Sequence, residues 1–182
     1  MNDSLNTKKL TRTALLFALS IVMAYLEHLL PPLPFQPPGV KLGLSNIITM
    51  YTLLFIGVPQ ALIIALLKSA CVLLTRGTIA GILSLLGGFG SVAVMSLLSL
   101  VGKKRESHRL SYLFLSVCGA ITHNLGQLLG VYFLISHSFL AYLPVLLVSG
   151  ILMGLLTGVL LKLLLPALHR SFGIGTGKDG GI

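Results

Sequence analysis

The chain has 182 residues, of which 55% are apolar and only 9% are charged, and its excess of Lys and Arg gives a formal net charge of +9. Its mean hydropathy of +0.98 is far too high for a soluble domain of this length. The basic excess does not indicate nucleic-acid binding, because basic residues also flank membrane spans and set their orientation. The composition therefore predicts an integral membrane protein without a nucleic-acid partner.

Apolar segments of about 20 residues can cross a bilayer, and the chain has room for six. We predict helices at residues 11–30, 42–57, 59–74, 78–101, 110–135 and 140–165. The predicted fold class is all-α, a bundle of about six transmembrane helices that forms one membrane domain over residues 1–182. Residues 11–165 are expected to form the bundle, and residues 1–10 and 166–182 to be polar cytoplasmic tails.

Glycine and proline modify this outline. The Pro-rich residues 31–38 must end the first helix, since proline cannot continue a helical hydrogen-bond ladder. The Gly-rich residues 87–91 leave open whether the fourth helix is broken or re-entrant. Glycines at four-residue spacing in the last two helices predict close helix–helix packing in lipid.

Three clusters of basic residues predict the orientation of the bundle. They are Lys8, Lys9 and Arg12 before the first helix, Lys103, Lys104, Arg105 and Arg109 before the fifth, and Arg170 and Lys178 after the sixth. With six spans, all three clusters fall on one side, which the positive-inside rule makes cytoplasmic. We therefore expect a multi-pass protein of the plasma membrane with both termini in the cytoplasm.

Polar side chains within or beside the apolar segments predict a ligand site, because a charge at membrane depth costs several kcal/mol unless it is paired or hydrated. The candidate ligand-binding residues are Glu27, Lys41, Asn46, Lys68, Arg76, His123, Asn124 and Gln127. Cations outnumber carboxylates in this set, and the start of the second helix adds a positive dipole and free N–H groups. The expected ligand is a small molecule that bears a carboxylate, a phosphate or a diphosphate.

Structural alternatives stay open for these residues. Glu27 could pair with Lys41 or Arg76 and hold the loops together. Lys68 could extend to the membrane surface or form an ion pair. The polar cluster of the fifth helix, Thr122, His123, Asn124 and Gln127, could join helices by hydrogen bonds; within it His123 and Gln127 share a helix face.

The sequence does not indicate catalysis. Its acidic residues, Asp3, Glu27, Glu106 and Asp179, are scattered and do not form the paired carboxylates that hold Mg²⁺ for diphosphate chemistry. Residues 173–178 resemble a phosphate-binding loop, but their glycine spacing is one residue short and no strand precedes them. We expect no catalytic residue, no metal and no cofactor.

Several features resemble the substrate-binding S components of energy-coupling factor transporters. These are the six short spans, the Ala14-x-x-x-Ala18 pattern of the first helix, the run Pro-Gly-Val-Lys-Leu-Gly-Leu-Ser-Asn at residues 38–46, and the pair Lys68-Ser69. The predicted bundle is therefore S-component-like.

A narrower resemblance is to a family called heptaprenyl diphosphate synthase component I, or the Gx transporter family. It rests on the run at residues 38–46, on Arg76-Gly77 and on Ser-Leu-Leu-Gly-Gly at residues 84–88. The resemblance covers most of residues 11–165.

The resemblance implies a substrate-binding subunit that captures a micronutrient from outside the cell. Its partners besides membrane lipid would be a transmembrane coupling subunit, contacted by Ala14 and Ala18, and two ATPase subunits. The alternative is a non-transport accessory protein of isoprenoid diphosphate or quinone metabolism, or of membrane electron transfer. Prenyl synthases need Asp-rich metal motifs, which this sequence lacks, so the family label implies an accessory role at most.

Overall fold

The computed structural model describes residues 2–29, 43–104, 111–134, 141 and 143–172. These ranges form six helices: α1 (Asn2–Leu29), α2 (Leu44–Phe55), α3 (Val58–Arg76), α4 (Thr78–Lys104), α5 (Tyr112–Leu134) and α6 (Leu143–Phe172). Five of them are long and apolar enough to cross a membrane. The 12 residues of α2 rise only about 18 Å, against a hydrocarbon core of about 30 Å. The all-α fold class of six helices is confirmed, with α2 too short to span alone.

The last helix is longer than predicted. α6 continues through Pro166 to Phe172 instead of ending near residue 165. Proline removes one backbone hydrogen bond, but ring contacts with Tyr51 of α2 hold the final turn in place. The ring centroids of His169 and Phe172 lie 5.8 Å and 6.3 Å from that of Tyr51. The described part of the predicted C-terminal tail is therefore helical.

The start of α1 also differs from the prediction, and the course of α4 answers a question that the sequence left open. α1 already begins at Asn2, because neither proline nor glycine interrupts residues 2–10, so the described part of the predicted N-terminal tail is also helical. α4 is one continuous helix through residues 87–91. Its glycines lie at contacts with neighbouring helices: Gly87 faces His123 of α5, and Gly88 faces Ala65 of α3.

Glycines bring α4, α5 and α6 into backbone contact. A Cβ atom added at Gly126 of α5 would lie 2.8 Å from the carbonyl oxygen of Leu86 on α4. A Cβ atom added at Gly154 of α6 would lie 2.6 Å from the Cα of Val117 on α5. Only glycine allows helices to approach this closely, which strengthens their van der Waals attraction in lipid.

The short helix α2 lies inside the bundle, and nine of its 12 residues are buried. It packs against α1, α3, α4 and α6. Gly43, just before the helix, has φ of 77°, a left-handed conformation that favours glycine. A Cβ atom added to it would lie 3.6 Å from Cγ2 of Thr157. Since Thr157 is near the middle of α6, α2 begins halfway along the bundle.

Consecutive helices run in opposite directions along the chain. The beginning of α1 and the ends of α4 and α6 therefore lie at the same end of the bundle, which we call the basic end. The other end carries the close of α3 at Arg76, and we call it the Arg76 end. The predicted grouping of basic clusters thus agrees with the helix directions, whereas the membrane side that each end faces stays a prediction.

Candidate functional site

A cavity of about 470 Å³ lies within the bundle, a volume typical of small-molecule sites. All six helices contribute to its wall, which is largely apolar. Two of the residues that line it, Arg76 and Val145, are exposed.

Seven of the eight predicted ligand-binding residues line this cavity. They are Glu27, Asn46, Lys68, Arg76, His123, Asn124 and Gln127. The eighth, Lys41, lies outside the described residues. The polar residues that interrupt separate apolar segments are therefore brought together in space, while their binding of a ligand stays a prediction.

Lys68 is buried, with 6% of its surface exposed, and it points into the bundle. Its Nζ donates hydrogen bonds to Oδ1 of Asn46 at 2.8 Å and to Oγ of Ser45 at 3.4 Å. Both acceptors belong to the first turn of α2. These bonds offset part of the desolvation cost of the ammonium group. The ammonium thus holds α3 against the start of α2 instead of extending to the surface.

Glu27 connects α1 to the start of α2. Its Oε1 accepts a hydrogen bond of 2.7 Å from the backbone N–H of Gly43. This carboxylate satisfies a backbone donor and opposes the positive end of the helix dipole. The observed partner of Glu27 is therefore a backbone N–H group. The structural alternative had been an ion pair with Lys41 or Arg76.

The structure places the two described cavity cations at different heights. Lys68 and Arg76 are eight residues apart on α3, which corresponds to about 12 Å along the helix axis. Lys68 is buried in the middle of the bundle, whereas Arg76 is exposed at the end of the helix. An anionic group beside the backbone of Lys68 would therefore be about two helical turns from the backbone of Arg76.

The polar residues of α5 also make helix–helix contacts. Nδ2 of Asn124 donates a 3.0 Å hydrogen bond to the carbonyl oxygen of Leu146 on α6. The His123 ring packs against Gly87 of α4, where an added Cβ would lie 2.9 Å from the ring atoms Cε1 and Nδ1. Gln127 lines the cavity one turn further along α5. The helix-joining alternative is thus observed for Asn124.

Sequence reasoning missed the hydroxyl groups of the cavity wall. Ser84, Ser91, Ser116 and Thr157 line it, and each is at most 9% exposed. Ser116 Oγ and Thr157 Oγ1 form a 2.7 Å hydrogen bond between α5 and α6. Small hydroxyl residues also serve for helix packing in lipid, so their positions in the sequence alone do not indicate a cavity.

Neither a metal site nor a disulfide is seen in the described ranges. No group of three or more His, Cys, Asp or Glu side chains there could hold a metal ion. Cys71 and Cys118 are free thiols.

Ala14 and Ala18, the predicted partner-binding residues, lie on an exposed face of α1. Leu15 and Val22 on the same side are 54% and 52% exposed. The opposite side of the helix is buried, with Leu16 fully enclosed. The two alanines are therefore accessible from outside the bundle.

Six helices around a cavity of small-molecule size, five of them long enough to span a bilayer, define a polytopic α-helical membrane protein. The sequence model of a family described as heptaprenyl diphosphate synthase component I matches residues 16–164. The chain belongs to this family. Neither a curated protein nor a solved structure matches it.

Proposed function

We propose that this protein is the substrate-binding subunit of an energy-coupling-factor-type micronutrient transporter in the plasma membrane. The observation that carries the proposal is the cavity of about 470 Å³, which has polar and charged side chains inside an otherwise apolar bundle. Such groups are costly to bury in a membrane protein, so their presence inside the bundle indicates a functional site. With Lys68 and Arg76 on its wall against the single carboxylate of Glu27, the described lining favours a small anionic ligand.

The arrangement of the helices supports capture from outside. Arg76, an exposed residue that lines the cavity, lies at the end of the bundle opposite the basic end. If the basic end faces the cytoplasm, as the positive-inside rule predicts, both termini are cytoplasmic and Arg76 lies toward the extracellular side. A ligand would then enter from the extracellular side.

The exposed face of α1 supports a role for partner subunits. Ala14 and Ala18 would allow a helix of the coupling subunit to approach α1 closely. Two ATPase subunits, bound through that coupling subunit, would supply the energy for release of the ligand to the cytoplasm.

The donor set favours binding over catalysis. Glu27 is the only carboxylate among the cavity-lining residues that the structure describes. Metal-assisted diphosphate chemistry needs several carboxylates around Mg²⁺. We therefore infer a binding subunit and not an enzyme.

A second candidate function follows from the family description, which names one component of a heptaprenyl diphosphate synthase. In that case the chain would be a non-catalytic membrane accessory of isoprenoid diphosphate or quinone metabolism, or of membrane electron transfer. Its cavity would then hold an isoprenoid or quinone-related molecule, and the protein would not take part in transport.

Purification separates the two functions. The protein is isolated from its own membranes under mild conditions, and small molecules and proteins that accompany it are identified by mass spectrometry. A transporter subunit should carry a small anionic molecule and a coupling subunit with ATPases. That molecule should enter proteoliposomes only when all subunits and ATP are present. Recovery of a prenyl synthase, with no uptake of the retained molecule, would support the accessory role instead.

A further inference from the structure

We propose that the deep part of the cavity binds an uncharged hydrogen-bonding group of the ligand, such as an amide or a hydroxyl, and that the ligand's anionic group stays near Arg76. This inference rests on the proposed small-molecule binding function and adds the orientation and chemical class of the ligand. We call the deep part, lined by Ser45, Ser91, Ser116 and Thr157, the hydroxyl pocket.

The hydroxyl pocket is held together by contacts among four helices. Ser116 of α5 bonds to Thr157 of α6 at 2.7 Å. The methyl carbon of Thr157 lies next to Gly43 before α2, and the first turn of α2 bonds to Lys68 of α3. These contacts bring the polar groups of α2, α3, α5 and α6 close together about halfway along the bundle.

Ser84 and Ser91 supply the second observation, because neither hydroxyl has a hydrogen-bond partner within the part of the chain that the structure describes. They are 9% and 6% exposed, and they lie two turns apart on the same face of α4. Other described serines inside helices bond back to a carbonyl oxygen of the preceding turn, as Ser69 does at 2.8 Å and Ser96 at 2.8 Å. These two hydroxyl groups are on the cavity wall, so each can donate a hydrogen bond to a ligand or accept one from it.

The two charged groups nearest the pocket, one negative and one positive, already form hydrogen bonds inside the protein. The Glu27 carboxylate bonds to Gly43 N at 2.7 Å, and the Lys68 ammonium bonds to Asn46 Oδ1 at 2.8 Å. Opposite charges thus meet the start of α2 from α1 and from α3. An additional anion at this depth would gain attraction from Lys68 and lose a similar amount to Glu27. The deep pocket therefore suits an uncharged polar group.

Arg76 differs from Lys68 in this respect. It is an exposed residue of the cavity wall, and it forms no ion pair with any residue that the structure describes. Its guanidinium group can bind a carboxylate or phosphate with two parallel hydrogen bonds. A ligand that fits both regions is elongated, with an uncharged polar end deep in the bundle and an anionic end at Arg76.

Two fragment probes test the two regions separately. Benzamide carries an uncharged amide, and benzoate carries a carboxylate on the same ring. Their dissociation constants are measured by calorimetry on the purified protein without partner subunits. Ser91→Ala should weaken benzamide binding about fivefold and leave benzoate binding within about twofold, by loss of one neutral hydrogen bond. Arg76→Gln should weaken benzoate binding about tenfold and leave benzamide binding unchanged.

A stability measurement accompanies these titrations. Because the Ser91 hydroxyl faces the cavity and bonds to no described residue, Ser91→Ala should change the melting temperature of the unliganded protein by less than about 2 °C. Ser69→Ala is the matched control, since Ser69 is 4% exposed and already bonded to Leu66. It should lower the melting temperature and leave the affinity for both probes unchanged.

The proposal is overturned if Ser91→Ala weakens benzoate as much as benzamide, because an anion would then reach the deep pocket. It is also overturned if both probes bind the variants and the wild type equally, or if neither probe binds. Since no partner subunit or ATP is present, failure of transport would leave these titrations unaffected. The proposed transport function and the proposed ligand orientation can therefore fail independently.

Discussion

α1 and α2 are neighbouring helices that both contain an apolar segment, yet they occupy opposite environments. α2 is buried on nearly every side, whereas α1 exposes a continuous apolar face that includes Leu15, Val22 and Leu26. In a soluble protein this face of α1 would be a large exposed patch. In a bilayer it is an ordinary lipid-facing surface, because lipid tails are as apolar as leucine.

Hydrophobicity alone therefore does not distinguish buried residues from lipid-facing residues in this protein. Burial depends instead on close contacts and on the rare polar groups. Four pairs of substitutions test whether close contacts decide burial.

The two tyrosines Tyr51 and Tyr25 give the most direct test. Tyr51 on α2 is fully buried, and Tyr25 on α1 is 67% exposed. Tyr51→Ala should lower the free energy of unfolding by about 3 kcal/mol, because it leaves a cavity among packed rings. Tyr25→Ala should change it by less than about 0.5 kcal/mol. Both are measured by denaturant unfolding in detergent micelles, and equal losses would contradict the assignment of α1 to the lipid-facing edge.

Glycines extend the comparison to backbone contacts. An added Cβ at Gly126 would lie 2.8 Å from the Leu86 carbonyl oxygen, whereas one at Gly88 would lie 3.4 Å from the Ala65 methyl. Gly126→Ala should therefore destabilise the bundle by about 1–3 kcal/mol through overpacking. Gly88→Ala should cost less than about 1 kcal/mol. The melting temperatures of the two variants decide the point, and the packing described for α4 and α5 is wrong if Gly88→Ala is the more damaging.

The hydrogen bond between Glu27 and Gly43 joins α1 to the start of α2. Glu27→Gln keeps an oxygen acceptor for Gly43 N–H but removes the charge, and we expect a loss of about 1 kcal/mol in unfolding free energy. Arg76→Gln, which removes the exposed charge of the same cavity wall, is the control and should leave stability unchanged. If both variants unfold like the wild type, the carboxylate does not hold α1 to α2.

The smallest effect on stability is expected on the exposed face of α1. Ala18→Leu should change unfolding by less than about 0.5 kcal/mol, since its side chain faces away from the bundle. If α1 contacts a coupling subunit, the added side chain should nonetheless prevent co-purification of that subunit. Ala70→Leu, an exposed alanine on α3, should leave assembly intact. Normal assembly of Ala18→Leu would remove α1 from the proposed interface.

Much of the architecture was predictable because membrane helices follow simple rules. Apolar segments of sufficient length, separated by proline, glycine or charge, predicted six helices and the helix-rich class. The ends of the helices were predicted less accurately. Pro166 does not end α6, because ring contacts between His169 and Tyr51 come from residues over 100 positions apart and hold the last turn.

The candidate site was predictable in part, for the same reason that its residues are rare. Charged and amide side chains in apolar segments are costly, and this cost marked Lys68, His123 and Gln127 as candidates. Ser91 and Ser116 carried no such signal, since small hydroxyl residues are common at helix contacts in lipid.

The sequence by itself determined that the protein is a helical membrane protein, and it marked most of the polar residues that line one cavity. The folded structure adds that α2 begins halfway along the bundle, that Glu27 bonds just before its first turn and Lys68 within it, and that Ser84 and Ser91 have no hydrogen-bond partner among the described residues. The physical reason is that hydrophobicity selects lipid over water, a choice made residue by residue along the chain. The position of each helix against its neighbours depends on backbone approach and hydrogen bonds between distant segments, which no local pattern records.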